Sequence, residues 1–360
     1  MDHKLSYFRG CLLGLAVGDA MGYTVDKKSW EEIERDYGPN GLLGYDLVNG
    51  CADVTSYTQL ATFVCNGLLL GAFRAQPDAL NKYIALALRE WVKSQQPRIN
   101  AERSRCWVAQ VSEMRRRHCM DTRMLDTLTR QNLGTPEKPE NNYTSPAGLT
   151  AAVAVGLFFD PKRMEPDQVG RLSAEAVAMM QGGPEAFLSG AVLAYCIAGI
   201  LQEPEHTMAE QVLHAMHVVQ TQFAEQFPQV NAIQTLVEKA LELTRDGDLT
   251  PLAAMSILGC TTAAECLAGA IYASVIHAGN FDEGMIAAVN HSGRSAAVAS
   301  MTGALLGAKL GADALPEFYL ESLEVTGVLD TIAEDLAIGC RTSRIFDDSW
   351  DQKYIQGMPV

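Results

Sequence analysis

No two of the nine cysteines are spaced as C-x-x-C; they lie scattered at 11, 51, 65, 106, 119, 196, 260, 266 and 340, mostly in apolar stretches. An odd, dispersed set in a long chain argues against a disulfide frame or a zinc site. It predicts reduced thiols in a cytoplasmic compartment. Long apolar runs are missing as well. The longest, 187–200, contains Ser and Gly and falls short of the roughly 18 residues a membrane span needs, so no membrane partner is expected. The run 11–18 sits behind Lys4 and Arg9 like the start of a signal peptide, but it is short, Asp19 ends it, and no small-x-small cleavage site follows. Alternating β-branched stretches are nearly absent, which removes sheet architectures. Basic charge is scarce: 28 Lys and Arg stand against 43 Asp and Glu, a net −15. Phosphate backbones need a basic footprint, so nucleic acid is not an expected partner.

What remains is globular. Of 360 residues 48% are hydrophobic and 20% charged, values outside the disordered and low-complexity ranges. Helical periodicity dominates. Ser29 followed by Glu32 has the capping-box form and starts a helix toward Tyr37. Leu60, Phe63, Val64 and Leu68 fall near 3.6 spacing within 55–75, and Pro77 opens a helix over 78–94. Further helices are expected over 167–180, 184–201, 207–227, 229–245, 262–277, 281–289, 296–310 and 327–338. The fold class is therefore all-α, a compact orthogonal bundle of ten or more helices. No linker or internal repeat divides it, so one domain is expected over 1–345, with a tail over 346–360, acidic then aromatic, that docks on the body or on a neighbour. The least regular stretch, 96–146, carries Arg98, Arg103, Arg105, Arg115, Arg116, Arg117, Arg123 and Arg130. It reads as a solvated, salt-bridged face; an anion-binding patch is the sharper alternative.

The opening apolar helix is laced with Gly10, Gly14 and Gly18, a spacing that lets another helix approach closely. A small-residue turn then presents Asp19. Other segments follow in order: Thr55 to Ala61, Asn142 through Gly148 to Leu157, Pro184 to Gly190, Ala264 to Ala268, and Asn290 to Ala297 running into Gly303 and Gly307. Together they resemble the ADP-ribosylglycohydrolase family over residues 5–340. The resemblance implies an all-α bundle with two magnesium ions and the removal of ADP-ribose from modified side chains or related compounds. That chemistry needs several carboxylates converging on one cleft.

The departures fall on the chemistry. The family's Thr/Ser-Asp-Asp-Thr-Gln reads Thr55, Ser56, Tyr57, Thr58, Gln59 here. Its Gly-Asp-x-Asp-Thr reads Gly293, Arg294, Ser295, Ala296, Ala297. Of the metal-ligand positions only Thr55 survives, and Arg294 brings a permanent positive charge to the place of a metal. The family's glutamate becomes Asp26, its Gly-Cys-Gly-Gly-x-Met-Arg loop becomes Ser145 to Ala151, and its Thr-His-x-His segment becomes Met180 to Gly183.

The expectation is a kept fold with an erased metal site: no magnesium, a degenerate pocket formed by Thr55, Ser56, Tyr57, Asn142, Gly148, Gly293, Arg294 and Ser295, and Asp26 and Asp19 as the remaining acids. Arg294 is expected to pair with at least one of Asp19, Asp26 and Asp53. The protein would act as a binding or interaction module for an ADP-ribose-like small molecule or a protein, with an oligomer open. Two alternatives stay open: a metal-independent hydrolase using Asp19, Asp26 or Asp53 with His291, and an active magnesium enzyme whose ligands lie elsewhere. His277 and His291 read as packing residues, and His214 and His217 as a helix-surface pair.

Overall fold

The computed structural model describes residues 2–47, 50–74, 77–96, 101–162, 164–339, 350, 353 and 354. Among them are sixteen α-helices and no strand. The first six are α1 (Asp2–Val25), α2 (Trp30–Tyr37), α3 (Ser56–Phe73), α4 (Leu80–Ser94), α5 (Thr122–Thr129) and α6 (Thr150–Phe158). Next come α7 (Pro166–Ala178), α8 (Pro184–Gln202), α9 (Met208–Phe223), α10 (Val230–Leu243) and α11 (Pro251–Leu258). The chain continues through α12 (Ala263–Ile276), α13 (Phe281–Val289), α14 (Ser295–Leu310), α15 (Glu317–Glu321) and α16 (Thr326–Ile338).

Local chemistry explains several starts. At α2 the Ser29 hydroxyl accepts from the Glu32 amide while the Glu32 carboxylate accepts from the Ser29 amide at 2.8 Å. The same reciprocal Thr-x-x-Glu cap opens α9 at Thr207 and α12 at Thr262. Each satisfies two backbone donors that a helix start otherwise leaves bare.

The fold is centred on α1 and α14, which run antiparallel with backbones nearly touching. A β-carbon placed on Gly10 would lie 2.2 Å from the Gly307 carbonyl oxygen, and one on Gly18 would lie 1.9 Å from that of Ala299. Such contact is open only to glycine. One expectation needs correction here: α1 does not end in a turn at Asp19 but runs unbroken to Val25. The acid sits inside the helix, fully buried, and distant partners satisfy it.

Around this pair α3, α8 and α12 are buried over nearly their whole surface, as central helices must be apolar all round. At 19 residues α8 is long and apolar enough to span a membrane, longer than the 187–200 run suggested, yet 78% of its apolar window is buried inside the fold. The arginine-rich stretch holds short 3-10 turns and α5, and three of its arginines are ion-paired. Arg116 bridges Asp53 and Glu324, Arg123 holds Asp121 at 3.0 Å, and Arg130 lies 3.6 Å from Glu140; Arg98 falls outside the described residues. At the C-terminus Trp350 and Tyr354 stack on Phe73, with ring centroids 6.4 and 6.3 Å away. Lys353 and Tyr354 both reach the buried Asp335 carboxylate, at 2.8 and 2.7 Å.

Candidate functional site

The start of α3, the loop after α1 and the start of α14 meet at one place. Asp19 ties α1 to α3. One of its oxygens accepts from the Thr55 and Thr58 amides at 2.8 and 3.0 Å and from the Thr58 hydroxyl at 2.6 Å; the other accepts from the Thr55 hydroxyl at 2.7 Å. Burial raises its pKa above the usual carboxylate range, and these four hydrogen bonds pull it back. Thr55 is equally committed: it caps α3, its oxygen also accepting from the Tyr57 amide at 3.3 Å.

Ser56 points away from this junction and accepts from the Met120 amide at 3.1 Å. Tyr57, wholly buried, reaches the start of α14, where its phenol oxygen accepts from Arg294 Nη2 at 3.2 Å. Arg294 turns inward, with 13% of its side chain exposed, and its Nε lies 3.4 Å from Asp26 Oδ2. Asp26 is seated by its other oxygen, which accepts from the Ala296 amide at 3.2 Å. Burial raises the Asp26 pKa, and Arg294 opposes that rise. For Arg294 the signs reverse: burial disfavours the charge, the Asp26 carboxylate favours it, and the balance holds the guanidinium pKa above its ordinary value. Of the three acids expected near Arg294, Asp26 is its partner. Asp19 is held by threonines, and Asp53 pairs with Arg116.

The backbone here is unusual. Gly293 has φ +130°, and a β-carbon on it would come within 2.6 Å of the Cys260 carbonyl oxygen. Its own carbonyl accepts from the Lys27 amide at 2.7 Å, and the Arg294 amide donates to Cys260 at 2.8 Å. These two bonds fix where the Arg294 side chain starts. Ser295 is buried and donates to the His291 carbonyl at 3.4 Å. His291 is buried too, each ring nitrogen 3.0 Å from a main-chain carbonyl, of Ser292 or Ala288. That is the setting of a packing residue.

The loop before α6 forms a neighbouring wall. Gly148 is buried against Met180 and Gln181. Asn142 is exposed; the residue that organises the loop is Asn141. Its side-chain oxygen accepts from the Tyr143 and Gly182 amides at 3.0 and 2.8 Å, and its nitrogen donates to the Met180 carbonyl at 3.2 Å. The Asn-Asn pair carried that signal, but nothing local says which member turns inward. Gln181 was passed over as well: it is fully buried, and neither polar atom of its side chain has a protein partner. Thr150, also wholly buried, links this wall to α3 by donating to the Tyr57 carbonyl at 2.7 Å. His214 and His217 are both exposed on α9. Among the described residues no group of three or more His, Cys, Asp or Glu is placed to hold a metal ion.

Asp19 thus joins a glycine-laced helix pair to a threonine-capped helix within an all-α fold. The ADP-ribosylglycohydrolase family profile matches residues 1–345, and the chain belongs to that family. It is 25% identical over 344 residues to an uncharacterized protein of Archaeoglobus fulgidus, covering 91% of this chain and 95% of that one. A solved structure described as an ADP-ribosylglycohydrolase-related protein complex superposes with a TM-score of 0.55 at 22% identity, over 96% of this chain and all of the other. That likeness concerns the fold.

Proposed function

We propose that this chain is a family member that has exchanged magnesium-dependent hydrolysis for binding. The observation that supports this reading is the inward-facing Arg294, set between Asp26 and Tyr57. The side chains there do not fit magnesium, which demands near-octahedral oxygen ligands. A guanidinium, a phenol ring and the methyl of Ala296 stand at family metal positions, and the surviving Thr55 oxygen already serves Asp19 and the α3 amide. In water-excluded sites two cations lower a hydrolytic barrier by several kcal/mol. No residue described above supplies that stabilisation, so the cleft is read as a recognition surface for a small molecule or a protein in the cytoplasm.

The test pairs binding with turnover. Magnesium up to millimolar levels should leave the melting midpoint unchanged, since any ligand that binds only the native state must raise it. Arginine-, serine- and acetyl-linked ADP-ribose should remain intact. Turnover that EDTA abolishes would overturn the reading.

A further inference from the structure

Helices α7 and α8 meet the wall beside Gln181 with one end and a cavity with the other. α7 ends at Ala178 and α8 begins at Pro184, on either side of Gln181; the first turn of α7 and the last turns of α8 border an open cavity of about 340 Å³, with α9 across from them. Pro184 and Ala198 are roughly 20 Å apart along α8, so this opening is separate from the Arg294 site. Close-packed interiors leave few voids larger than a water molecule, and the volume falls within the range of small-molecule pockets, roughly 300–1,000 Å³.

The floor is apolar: Val169 and Ala198 are buried, and Phe159 and Val218 half-buried. Tyr195 contributes a ring and not a donor, because its hydroxyl proton is committed to the Pro166 carbonyl and the Gln222 side-chain oxygen, each 3.0 Å away. The rim carries Gln202, Glu203 and His214. Glu203 is the one acidic residue on the lining, half exposed, with one carboxylate oxygen 2.8 Å from His206 Nδ1. Its place is fixed by Gln211, which donates to the Gly199 and Glu203 carbonyls at 3.2 and 2.7 Å and so secures the end of α8. No Lys or Arg lines the cavity among the described residues. The nearby cations are engaged elsewhere: Lys309 donates to the Pro204 and His206 carbonyls at 2.5 and 2.6 Å, and Arg171 lies 3.2 Å from Asp167.

We propose that this cavity binds a small hydrophobic amine, an ammonium group carried on a compact aromatic or branched hydrocarbon body. The body covers the apolar floor, and the ammonium lies at the rim toward Glu203. Three features favour a cation over an anion there. One is the Glu203 carboxylate. Another is the end of α8, since a helix C-terminus carries partial negative charge. The third is the pair of rings, Phe159 and Tyr195, whose faces attract cations. The net charge of −15 acts in the same sense at longer range. The site stands independently of the functional reading above.

The experiment uses the full chain and three probes of one shape, phenylethylamine, phenylethanol and phenylpropionate, at neutral pH and constant ionic strength, read by melting midpoint and calorimetry. The amine should bind saturably, the alcohol more weakly, and the carboxylate most weakly of the three. Glu203→Gln should weaken the amine about threefold and leave the alcohol unchanged. Ala198→Leu puts bulk into the floor and should abolish binding of both; should that variant fail to fold, Val218→Phe fills the cavity from α9 and carries the test. No saturation with the amine, an affinity for the carboxylate equal to or above the amine's, or amine binding untouched by Glu203→Gln or by the filling variants, overturns the proposal.

Discussion

Gly14 and Gly303 each occupy the space in which the other's β-carbon would lie. A methyl on Gly14 would sit 2.2 Å from the Gly303 carbonyl oxygen, and one on Gly303 would sit 1.9 Å from that of Gly14. Both obstacles are backbone, so no rotamer change relieves them. Gly14→Ala gains about 1 kcal/mol of helix propensity but forces α1 and α14 apart. Overpacking of this kind costs 1–3 kcal/mol and occasionally more. A net loss of about 2 kcal/mol is expected, visible as a lower urea midpoint. An unchanged midpoint would mean that the two helices slide freely.

Asp19 spends all its hydrogen bonds within the fold. Asp19→Asn keeps the shape but turns an amide group toward the Thr55 and Thr58 donors, leaving buried groups unpaired. Stability should fall by about 3 kcal/mol. Asp19→Ala should be no gentler, since it strands the same donors. A variant that keeps its stability would show that the acid is dispensable to the α1–α3 junction.

The Arg294–Asp26 pair is mostly buried, so removing one partner strands the other. Arg294→Ala should cost about 3 kcal/mol. A pH signature goes with it. Because the folded pKa of Asp26 is raised, the native state holds that proton more tightly than the unfolded chain does. Its contribution is fully present below the unfolded value of about 3.9 and fades as pH rises through the folded value. Wild-type stability should therefore fall with pH across that window relative to Asp26→Asn. Parallel stability curves would place Asp26 in solvent.

The C-terminal segment makes a separate prediction. Among the described residues, Lys353 and Tyr354 supply the side-chain hydrogen bonds to Asp335, which is 3% exposed. Lys353→Ala and Tyr354→Phe should each cost about 1–2 kcal/mol. In a double-mutant cycle the two should couple, because they share one carboxylate. Strict additivity would mean that the carboxylate is solvated and the contact incidental.

How much of this was legible follows from the range over which each signal acts. The Ser29 cap and the bounds of α13 are local, and the sequence reading places both where the structure has them. Helix α6 escaped because all but its last residue are buried, and a helix apolar on every side shows no period. The eight-residue helices α5 and α11 are too short to show one. Asp19 looked like a break because a lone acid ends an apolar run. Its partners Thr55 and Thr58 lie 36 and 39 residues away, beyond any window of periodicity. The Arg294–Asp26 pairing was reachable without coordinates, since a charge placed at a buried position needs a partner and few acids were near enough. The engagement of Tyr57 was not, because nothing along the chain says where a phenol points.

Arg294 also settles how far the site can be walked backward. Reinstating the family's acids at 56, 57, 294 and 296 one at a time passes through states worse than either end. Arg294→Asp alone sets two carboxylates against each other with the cation gone. An acid added at 57 while Arg294 remains sets a second carboxylate beside Asp26 on one guanidinium, and an acid at 56 falls against the Met120 amide, away from that cation. Each intermediate buries uncompensated charge, a cost of about 3–5 kcal/mol in comparable settings, which is much of a domain's stability. A laboratory attempt to build a metal site here must therefore make its substitutions together, with the ion present during folding.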